Sequence, residues 1–385
     1  MIEKRFDIPF TSRLALREKQ SQQTYRPIIG VHEWFARRPG SVFRSLLLAE
    51  FNDLPVAKSY WHGHKLGGVI ADPFMGGGTP VYEATRLDFS VVGTDINPMA
   101  YWIIRQSLKY LYIDKFEKNA SEVCNDVENK ISKYYYTECL NCGEPAEVKY
   151  FLWVKVEECP ECGADNDLFS TYRLSTDARH PRHVIPCKSC GHHNECEKTP
   201  TNEDTQSCDR CGESIHSKGP AGYGKTTCHS CGSDFRYPVD SASPPRHRMW
   251  AVEYHCSSCK PDWDGRFFKE PDEEDIAVHR KARERLKSCF EELPIPDDHI
   301  PPGDESDRLH RWGYQHYHEM FNDRQLLGLG ILLNRITEVE DEEIRHALLT
   351  VFSDILRYQN MLCRYDTYSL KCQDIFSMHA FPVGL

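Results

Sequence analysis

The sequence lacks three features that would place it in other classes of protein. No apolar run approaches the ~20 residues needed to cross a bilayer, and the opening MIEKRFDIPF does not have the pattern of a secretion signal. Positive charge is not in excess either. The 47 Lys and Arg stand against 58 Asp and Glu, for a formal net charge of −11, which argues against binding nucleic acid through bulk charge. We therefore expect a cytoplasmic protein that does not enter a membrane.

Cysteine, in contrast, is abundant and regularly spaced. Twelve of the 17 cysteines form six Cys-x-x-Cys pairs, and five of these pairs are followed directly by glycine. Two thiolates at this spacing can chelate one tetrahedral ion from a tight turn, and two such turns complete a four-sulfur zinc site. Glycine suits a turn whose next residue needs a positive φ. The predicted zinc ligands are Cys139, Cys142, Cys159, Cys162, Cys187, Cys190, Cys208, Cys211, Cys228, Cys231, Cys256 and Cys259.

Pairing the turns in chain order predicts three zinc ribbons, with 16, 17 and 24 residues between the two turns of each site. Chain order does not fix the partners, because 16 residues also separate Cys211 from Cys228. Cys196, with His192 and His193, is an alternative source of ligands at one site. Four thiolates leave an ion no open position, so we expect these zinc ions to fold the segment and not to catalyse.

Composition divides the chain around this cysteine block, and the predicted segments are an α/β part at 1–138, zinc ribbons at 139–260, an acidic linker with one helix at 261–310 and a helical part at 311–385. The linker helix is predicted from about Glu273 to Leu293. Asn322 is predicted to cap the next helix, and apolar residues from Ile344 to Leu356 repeat at helical spacing.

A glycine-rich turn lies between two short predicted strands in the first segment. The strand Gly67–Ala71 runs into the turn from Asp72 to Thr79, a helix follows to Leu87, and a strand from Phe89 ends at the acid Asp95. Glycines let the backbone approach a ligand closely, and an acid at this place can accept hydrogen bonds from ribose hydroxyls. This order predicts the nucleotide-binding half of an α/β, Rossmann-like sheet. The turn lacks the Gly-x-Gly-x-x-Gly of a dinucleotide site and the Lys-Ser/Thr of a phosphate loop.

The form Asp-Pro-Phe-x-Gly-x-Gly-Thr resembles the S-adenosylmethionine loop of DNA methyltransferases that act on amino groups. The resemblance implies that Asp72 to Thr79 line the methionine end of the cofactor and that Asp95 holds its ribose. It also implies that the basic-proline element Arg37-Arg38-Pro39 touches the methionine carboxylate. A helix follows this element, and Ser41 is predicted to cap it. The predicted cofactor-binding residues are Arg37, Arg38, Pro39, Asp72, Pro73, Phe74, Gly76, Gly77, Gly78, Thr79, Asp95 and Asn97.

The chain as a whole resembles the adenine-specific DNA methylases that contain a zinc-ribbon domain. The matching stretches, in order, are Arg17–Lys19, Trp34–Pro39, Asp72–Thr79, Asp95–Pro98, the cysteine block and Met320–Leu327. The resemblance implies an S-adenosylmethionine-dependent methyltransferase fold, present in part, with inserted zinc ribbons and C-terminal helices. It further implies N6-adenine methylation of DNA, often in restriction-modification or phage-defence systems.

The catalytic tetrapeptide of this family, Asp/Asn/Ser-Pro-Pro-Tyr/Phe/Trp, is missing. Ser243–Arg246 lacks the aromatic residue, and Asn97-Pro98 lacks the second proline. In the family this tetrapeptide accepts the hydrogens of the target amine and stacks on the flipped base. We therefore hypothesise a split enzyme in which a second methyltransferase subunit carries the tetrapeptide. A truncated remnant, a non-catalytic zinc-ribbon adaptor and a methyltransferase for RNA or protein are the alternatives.

The zinc block is the expected DNA contact, although docking of another subunit is an open alternative. It holds 14 Lys and Arg against 17 Asp and Glu, so it has no electrostatic footprint for phosphates. Arg246 and Arg248 are locally basic, and Trp250 and Tyr254 are candidates for stacking on bases.

Overall fold

Two units of mixed helix and strand make up the chain, in agreement with the predicted α/β class. The computed structural model describes residues 2–20, 30–34, 37–200, 206–239, 242–262 and 265–376. Unit 1 comprises Met1–Ala120 and Val339–Asp354, and unit 2 comprises Ser121–Glu338 and Ile355–Leu385. All the predicted zinc ligands therefore belong to unit 2. Residues 35 and 36 of the basic-proline element lie outside the described residues. No described helix is both long enough and apolar enough to cross a bilayer.

The described residues form α-helices and β-strands with the following bounds. The α-helices are α1 Ile2–Arg5, α2 Ile8–Gln20, α3 Gly40–Phe51, α4 Val56–Ser59, α5 Thr79–Thr85, α6 Pro98–Leu108, α7 Ile113–Ile131, α8 Glu273–Cys289, α9 Asp307–Arg311, α10 Asp323–Thr337 and α11 Glu342–Ile355. The strands are β1 Val69–Asp72, β2 Ser90–Gly93, β3 Tyr136–Glu138, β4 Pro145–Glu158, β5 Asp165–Asp167, β6 His183–Pro186, β7 His193–Cys196, β8 Gln206–Ser207, β9 Ser214–Ile215, β10 Lys225–Thr227, β11 Asp234–Arg236, β12 Arg246–His255, β13 Arg266–Lys269, β14 Tyr365–Asp366 and β15 Lys371–Cys372.

In the described part of unit 1 the sheet is the parallel pair β1 and β2, joined through α5 as predicted. Its inner face, with Ile70 and Val91, packs on a buried cluster formed by Leu14, Leu47, Leu48, Ala49, Val56, Tyr60, Ala84, Leu87 and Phe89. Its outer face is apolar but open, since Val69 is 69% and Val92 58% exposed. Parallel strands are usually covered on both faces, so this outer face is unusual.

Helix α3 starts differently from the prediction. The helix begins at Gly40, so Ser41 lies in its first turn and does not cap it. The cap comes from a distant acid instead: the Glu18 carboxylate, which is 2% exposed, accepts hydrogen bonds from the main-chain N–H groups of Gly40 and Ser41, each at 2.9 Å. A carboxylate at this place satisfies orphan donors and complements the positive end of the helix dipole.

Helix α11 completes unit 1, although it is distant in sequence. Trp102 on α6 donates a hydrogen bond from Nε1 to Oγ1 of Thr350 at 2.9 Å. Lys109 lies 3.2 Å from the Glu343 carboxylate. These contacts place α11 beside the helix that follows the predicted ribose acid.

The sheet of unit 2 is antiparallel, in the order β13-β12-β4-β3, with β5 paired to the far end of β4. β4 and β12 are rich in β-branched and aromatic residues, which favour strands. Their pairing runs from Arg246 opposite Val156 to His255 opposite Glu147. Three small hairpins, β6–β7, β8–β9 and β10–β11, lie between these two strands in the chain.

The helices of unit 2 have strong start signals. Asp272 caps α8 by accepting hydrogen bonds from the N–H groups of Glu274 and Asp275, and Asn322 caps α10 by accepting one from Gln325 at 3.0 Å. Both helices therefore begin where the sequence predicts. They pack through a buried cluster of Tyr134, Ala282, Leu286, Cys289 and Leu327.

Candidate metal centres and cofactor loop

The twelve predicted thiolates assemble into three groups of four in unit 2. The groups are Cys139, Cys142, Cys256 and Cys259; Cys159, Cys162, Cys228 and Cys231; and Cys187, Cys190, Cys208 and Cys211. We name them the outer, middle and inner clusters. The turns are thus nested, first with sixth, second with fifth and third with fourth.

The sulfur spacing within each cluster is that of tetrahedral zinc. Four sulfurs about 2.3 Å from one ion lie about 3.8 Å apart. The distance between Sγ atoms is 4.0 Å for Cys139 and Cys259 and 3.5 Å for Cys142 and Cys256. In the middle and inner clusters the corresponding distances are 3.8, 3.6, 3.7 and 3.6 Å. All three clusters therefore fit a closed four-thiolate site for zinc.

The predicted glycine turns have the expected geometry. Gly143 has a φ of 74°, and its N–H donates to the carbonyl of Cys139 at 2.9 Å. Gly163 repeats this contact with Cys159, and the glycines after the third, fourth and fifth turns have φ values of 74–75°. A residue with a Cβ would be strained in this conformation.

The nested pairing corrects the prediction made from chain order. The pairing of the third turn with the fourth is confirmed, whereas those of first with second and fifth with sixth are wrong. The alternative of joining Cys211 to Cys228 is also wrong, and Cys196 stays outside the clusters, with its Sγ 3.9 Å from the carbonyl of Asn194. The cause is the long antiparallel pair, because the start of β4 lies opposite the end of β12 and brings the first and last turns together.

Neighbouring groups favour thiolate at two of the cluster cysteines, Cys139 and Cys228. Burial alone would raise the pKa of Cys139, but the N–H groups of Cys142 and Asn141 outweigh it and lower the pKa to about 7. At Cys228 the N–H of Cys231 is the largest cause, and the pKa falls to about 6. Thiolate is the form that binds metal, so Cys139 and Cys228 are suited to bind an ion.

Residues outside the Cys-x-x-Cys pairs also support the clusters, and no pattern in the sequence pointed to them. Asn166 donates from Nδ2 to Sγ of Cys228 at 3.6 Å and accepts the N–H of His229 on Oδ1 at 3.0 Å. The hydroxyl of Tyr254 accepts the N–H of Leu140 at 3.1 Å beside the outer cluster. Such contacts orient metal ligands.

Tyr254 is therefore not available for stacking on bases, because it is only 1% exposed. Trp250 packs edge-on against Phe169, with ring centroids 4.7 Å apart. The two arginines singled out as locally basic are paired with acids: the guanidinium of Arg246 contacts both carboxylate oxygens of Asp165, and Arg248 contacts Asp167 in the same way. This strand offers DNA little unpaired positive charge.

In unit 1 the glycine turn and the predicted ribose acid come together at the carboxyl ends of β1 and β2. Asp95 accepts a hydrogen bond from the N–H of Gly76 on Oδ2 and one from the N–H of Asn97 on Oδ1, both at 2.8 Å. Both contacts lower the pKa of Asp95, and the one from Asn97 has the larger effect. A carboxylate oxygen has two acceptor sites, so each retains capacity for a ligand hydroxyl.

The other predicted loop residues have different surroundings. Asp72 accepts the N–H of Phe74 on Oδ1 at 3.3 Å, while its Oδ2 is buried and has no hydrogen-bond partner within the described part of the chain. Pro73 accepts the Thr94 hydroxyl on its carbonyl at 3.0 Å, and the Phe74 ring is 87% exposed. Thr79 is the first residue of α5.

Packing within the fold itself demands glycine in this turn. A Cβ on Gly77 would lie 2.7 Å from Cδ1 of Trp34, and a Cβ on Gly78 would lie 2.5 Å from Cγ1 of Ile104. Gly76 and Gly78 also have positive φ values, of 47° and 78°. The turn is thus held in one shape before any ligand is considered.

The basic-proline element reaches the same turn through one of its arginines. Arg37 donates to the carbonyls of Gly77 and His32. Arg38 is exposed, and Pro39 immediately precedes α3. Asn97 caps α6 by accepting the N–H of Met99 at 2.9 Å. This capping role explains why an asparagine follows Asp95 in the sequence.

No protein-family model, curated protein or solved structure matches this chain.

Proposed function

We propose that this chain is the S-adenosylmethionine-binding part of a DNA amino-methyltransferase that acts on adenine N6. The observation that carries the proposal is the Asp95 carboxylate, which lies against the glycine turn at the carboxyl ends of two parallel strands. Ligands of open α/β sheets bind at this edge. The three cysteine clusters are closed, so their zinc ions stabilise the fold and leave methyl transfer to the other unit.

The residues of the loop fit this cofactor chemically. The unpartnered Oδ2 of Asp72 is suited to accept a hydrogen bond from the ammonium group of the methionine end, which would remove the cost of a buried acceptor without a partner. Asp95 retains acceptor capacity for ribose hydroxyls. Arg37 holds the carbonyl of Gly77 and so keeps the turn in position. The cofactor, when bound, supplies an activated methyl group on its sulfonium.

Calorimetry on the full chain tests this assignment with two ligands. 5′-Methylthioadenosine shares the nucleoside of S-adenosylmethionine but lacks the amino-acid end. We expect Asp72→Asn to weaken S-adenosylmethionine at least tenfold and to leave methylthioadenosine unchanged, whereas Asp95→Asn weakens both. Asp53→Asn, at a carboxylate 96% exposed on the same unit, is the control. Absence of binding by the unmodified chain would reject the cofactor site.

We further propose that a second polypeptide completes the methyltransferase. The support is the open outer face of the two-stranded sheet, with Val69 and Val92 exposed, together with the missing catalytic tetrapeptide. A complete sheet of this fold class has about seven strands with helices on both faces. We expect the partner to contribute parallel strands, covering helices, the tetrapeptide and the base pocket.

Co-expression with the product of the adjacent reading frame tests the split. We expect this chain alone to transfer no labelled methyl group to DNA and the pair to transfer it. Val69→Lys with Val92→Lys should abolish co-purification, whereas Leu54→Lys, at an exposed apolar residue of the same unit, should not. Methylation by this chain alone would reject the split.

A non-catalytic zinc-ribbon adaptor is the second candidate, because acids already neutralise Arg246 and Arg248. An adaptor need not bind S-adenosylmethionine, so the same calorimetry separates the two functions. A salt titration of DNA binding by the full chain tests the expected DNA partner. A DNA-binding enzyme loses affinity steeply as salt rises, whereas a protein-docking adaptor shows no such binding.

A further inference from the structure

A fourth group of metal-ligating side chains lies in unit 2, apart from the cysteine clusters. It comprises Asp297, His316 and His318, whose ligand atoms all lie within 4.8 Å of one another. Asp297 Oδ1 is 2.9 Å from Nδ1 of His316 and 3.7 Å from Nδ1 of His318. Two ligands bound to one ion at about 2.0–2.2 Å lie roughly 3.0–3.5 Å apart, so the observed distances bracket this range.

The backbone around the group is fixed independently of any ion. His299 and His316 form a β-bridge, and the N–H of Tyr317 donates to the carbonyl of Asp298 at 3.2 Å. Glu319 accepts the N–H of His316 on its carboxylate at 2.9 Å. The three ligands are therefore held near one another by segments that are already paired, which lowers the cost of ordering them around an ion.

An ion pair between Asp297 and His316 does not account for the whole group. His316 Nδ1 also lies 3.1 Å from the Asp297 carbonyl, to which its N–H can donate when no ion is bound, so an ion at this nitrogen requires the tautomer that is protonated on Nε2. His318 Nδ1, in contrast, is buried and has no hydrogen-bond partner in the described chain. This nitrogen lies 3.7 Å from Asp297 Oδ1, so its lone pair is available for an ion placed between the two side chains.

We propose that Asp297, His316 and His318 bind one divalent transition-metal ion of the zinc, cobalt or nickel class. Two imidazoles and one carboxylate suit these ions better than Mg²⁺ or Ca²⁺, which prefer oxygen ligands throughout. Three protein ligands leave at least one position for water, and the Asp297 side chain is 82% exposed. This ion therefore exchanges readily, unlike zinc in a closed cluster of four cysteines, and it ties the acidic linker to the segment before α10.

Titration of the full chain, with zinc in its three cysteine clusters, tests the proposal. Calorimetry with Co²⁺ should show one further equivalent, with d–d absorption and no thiolate-to-cobalt charge-transfer band. His318→Ala and Asp297→Asn should each weaken this equivalent at least tenfold. His299→Ala is the matched control, since its ring is tilted against that of His316 with centroids 4.0 Å apart but lies outside the ligand set.

Two results would overturn the proposal. One is a wild-type titration without an added equivalent, which is decisive even where a variant fails to fold. The other is an added equivalent that persists in the His316→Ala, His318→Ala double variant. Neither result bears on S-adenosylmethionine binding, so the proposed function stands or falls separately.

Discussion

Paired cysteine substitutions should distinguish nested from sequential zinc sites by the number of ions that remain. In the nested arrangement Cys142 and Cys259 bind the same ion, so their double alanine variant should retain two zinc ions, as each single variant does. Cys142 and Cys162 belong to different clusters, and their double variant should retain one. Sequential pairing predicts the opposite result for the two double variants.

The energies involved are large enough for a clear readout. A structural zinc site contributes an apparent binding free energy of about 10–16 kcal/mol at pH 7. Loss of one cysteine therefore removes most of what holds a ribbon together. The second substitution at the same ion should then add little, whereas a second substitution at another ion should add a full second loss.

The nested arrangement also predicts the order of filling. An ion in the outer cluster closes the 113 residues between Cys142 and Cys256, whereas the inner cluster closes the 17 residues between Cys190 and Cys208. When the chain is unfolded, closing the longer loop costs about 1.7 kcal/mol more in entropy than closing the shorter one. The outer cluster should therefore bind its first zinc ion nearly twentyfold more weakly than the inner cluster does. Zinc returned to the metal-free chain should therefore enter the inner cluster first.

The assay is elemental analysis of the purified chain after dialysis against a competing chelator, so that three-thiolate remnants lose their ion. Cys124→Ala, at an exposed cysteine outside the clusters, should retain three ions. A Cys142→Ala, Cys259→Ala chain with a single zinc ion would refute the nested pairing.

Single contacts support three further predictions. Lys269 is 1% exposed and lies 3.1 Å from the Asp275 carboxylate, which is 2% exposed. Lys269→Met should lower the free energy of chemical unfolding by about 3–5 kcal/mol, because it leaves the buried carboxylate without its partner. A loss below about 1 kcal/mol would contradict this. Burial first, and then its cross-strand neighbour Lys155, lower the pKa of His247 to about 4. Lys155→Met should raise the pKa of His247 in an NMR titration. The variant should also lose less stability as the pH falls from 6.5 to 4, because over this range His247 binds a proton in the unfolded chain but not in the folded one. An unchanged pKa would exclude Lys155 as a cause. Gly78→Ala should destabilise unit 1 by roughly 1–3 kcal/mol in thermal unfolding. Because part of that loss is the clash with the Ile104 side chain, Ile104→Ala should cost less in the Gly78→Ala chain than in the unmodified chain, and equal costs would place the strain wholly in the positive φ.

Local signals in the sequence predicted several of the described elements. The Asn322 side chain, the glycine turn after β1 and the glycines after the cysteine pairs each act within a few residues, where chain geometry leaves few options. The helix over the acidic linker begins at Glu273 as predicted, and its cap at Asp272 is local as well.

Long-range partners could not be predicted in this way. Glu18 caps α3 in place of Ser41. Because Glu18 is far from this helix in sequence, no local pattern predicts the contact. The pairing of the outer and middle clusters follows from the register of β4 and β12, which spacing between cysteines does not encode. Asp297 and His318 likewise come from separate segments, and only the paired backbone brings them together.

The nested arrangement has a consequence for how the protein is made. A ribosome that adds about 5–20 residues per second needs roughly 6–23 s to pass from Cys142 to Cys256. During that interval two pairs of N-terminal thiols have emerged without the later cysteines that complete their ligand sets. The inner cluster must then fill first, the middle cluster second and the outer cluster last. The thiols that emerge first are exposed to oxidants and competing ions for the longest time.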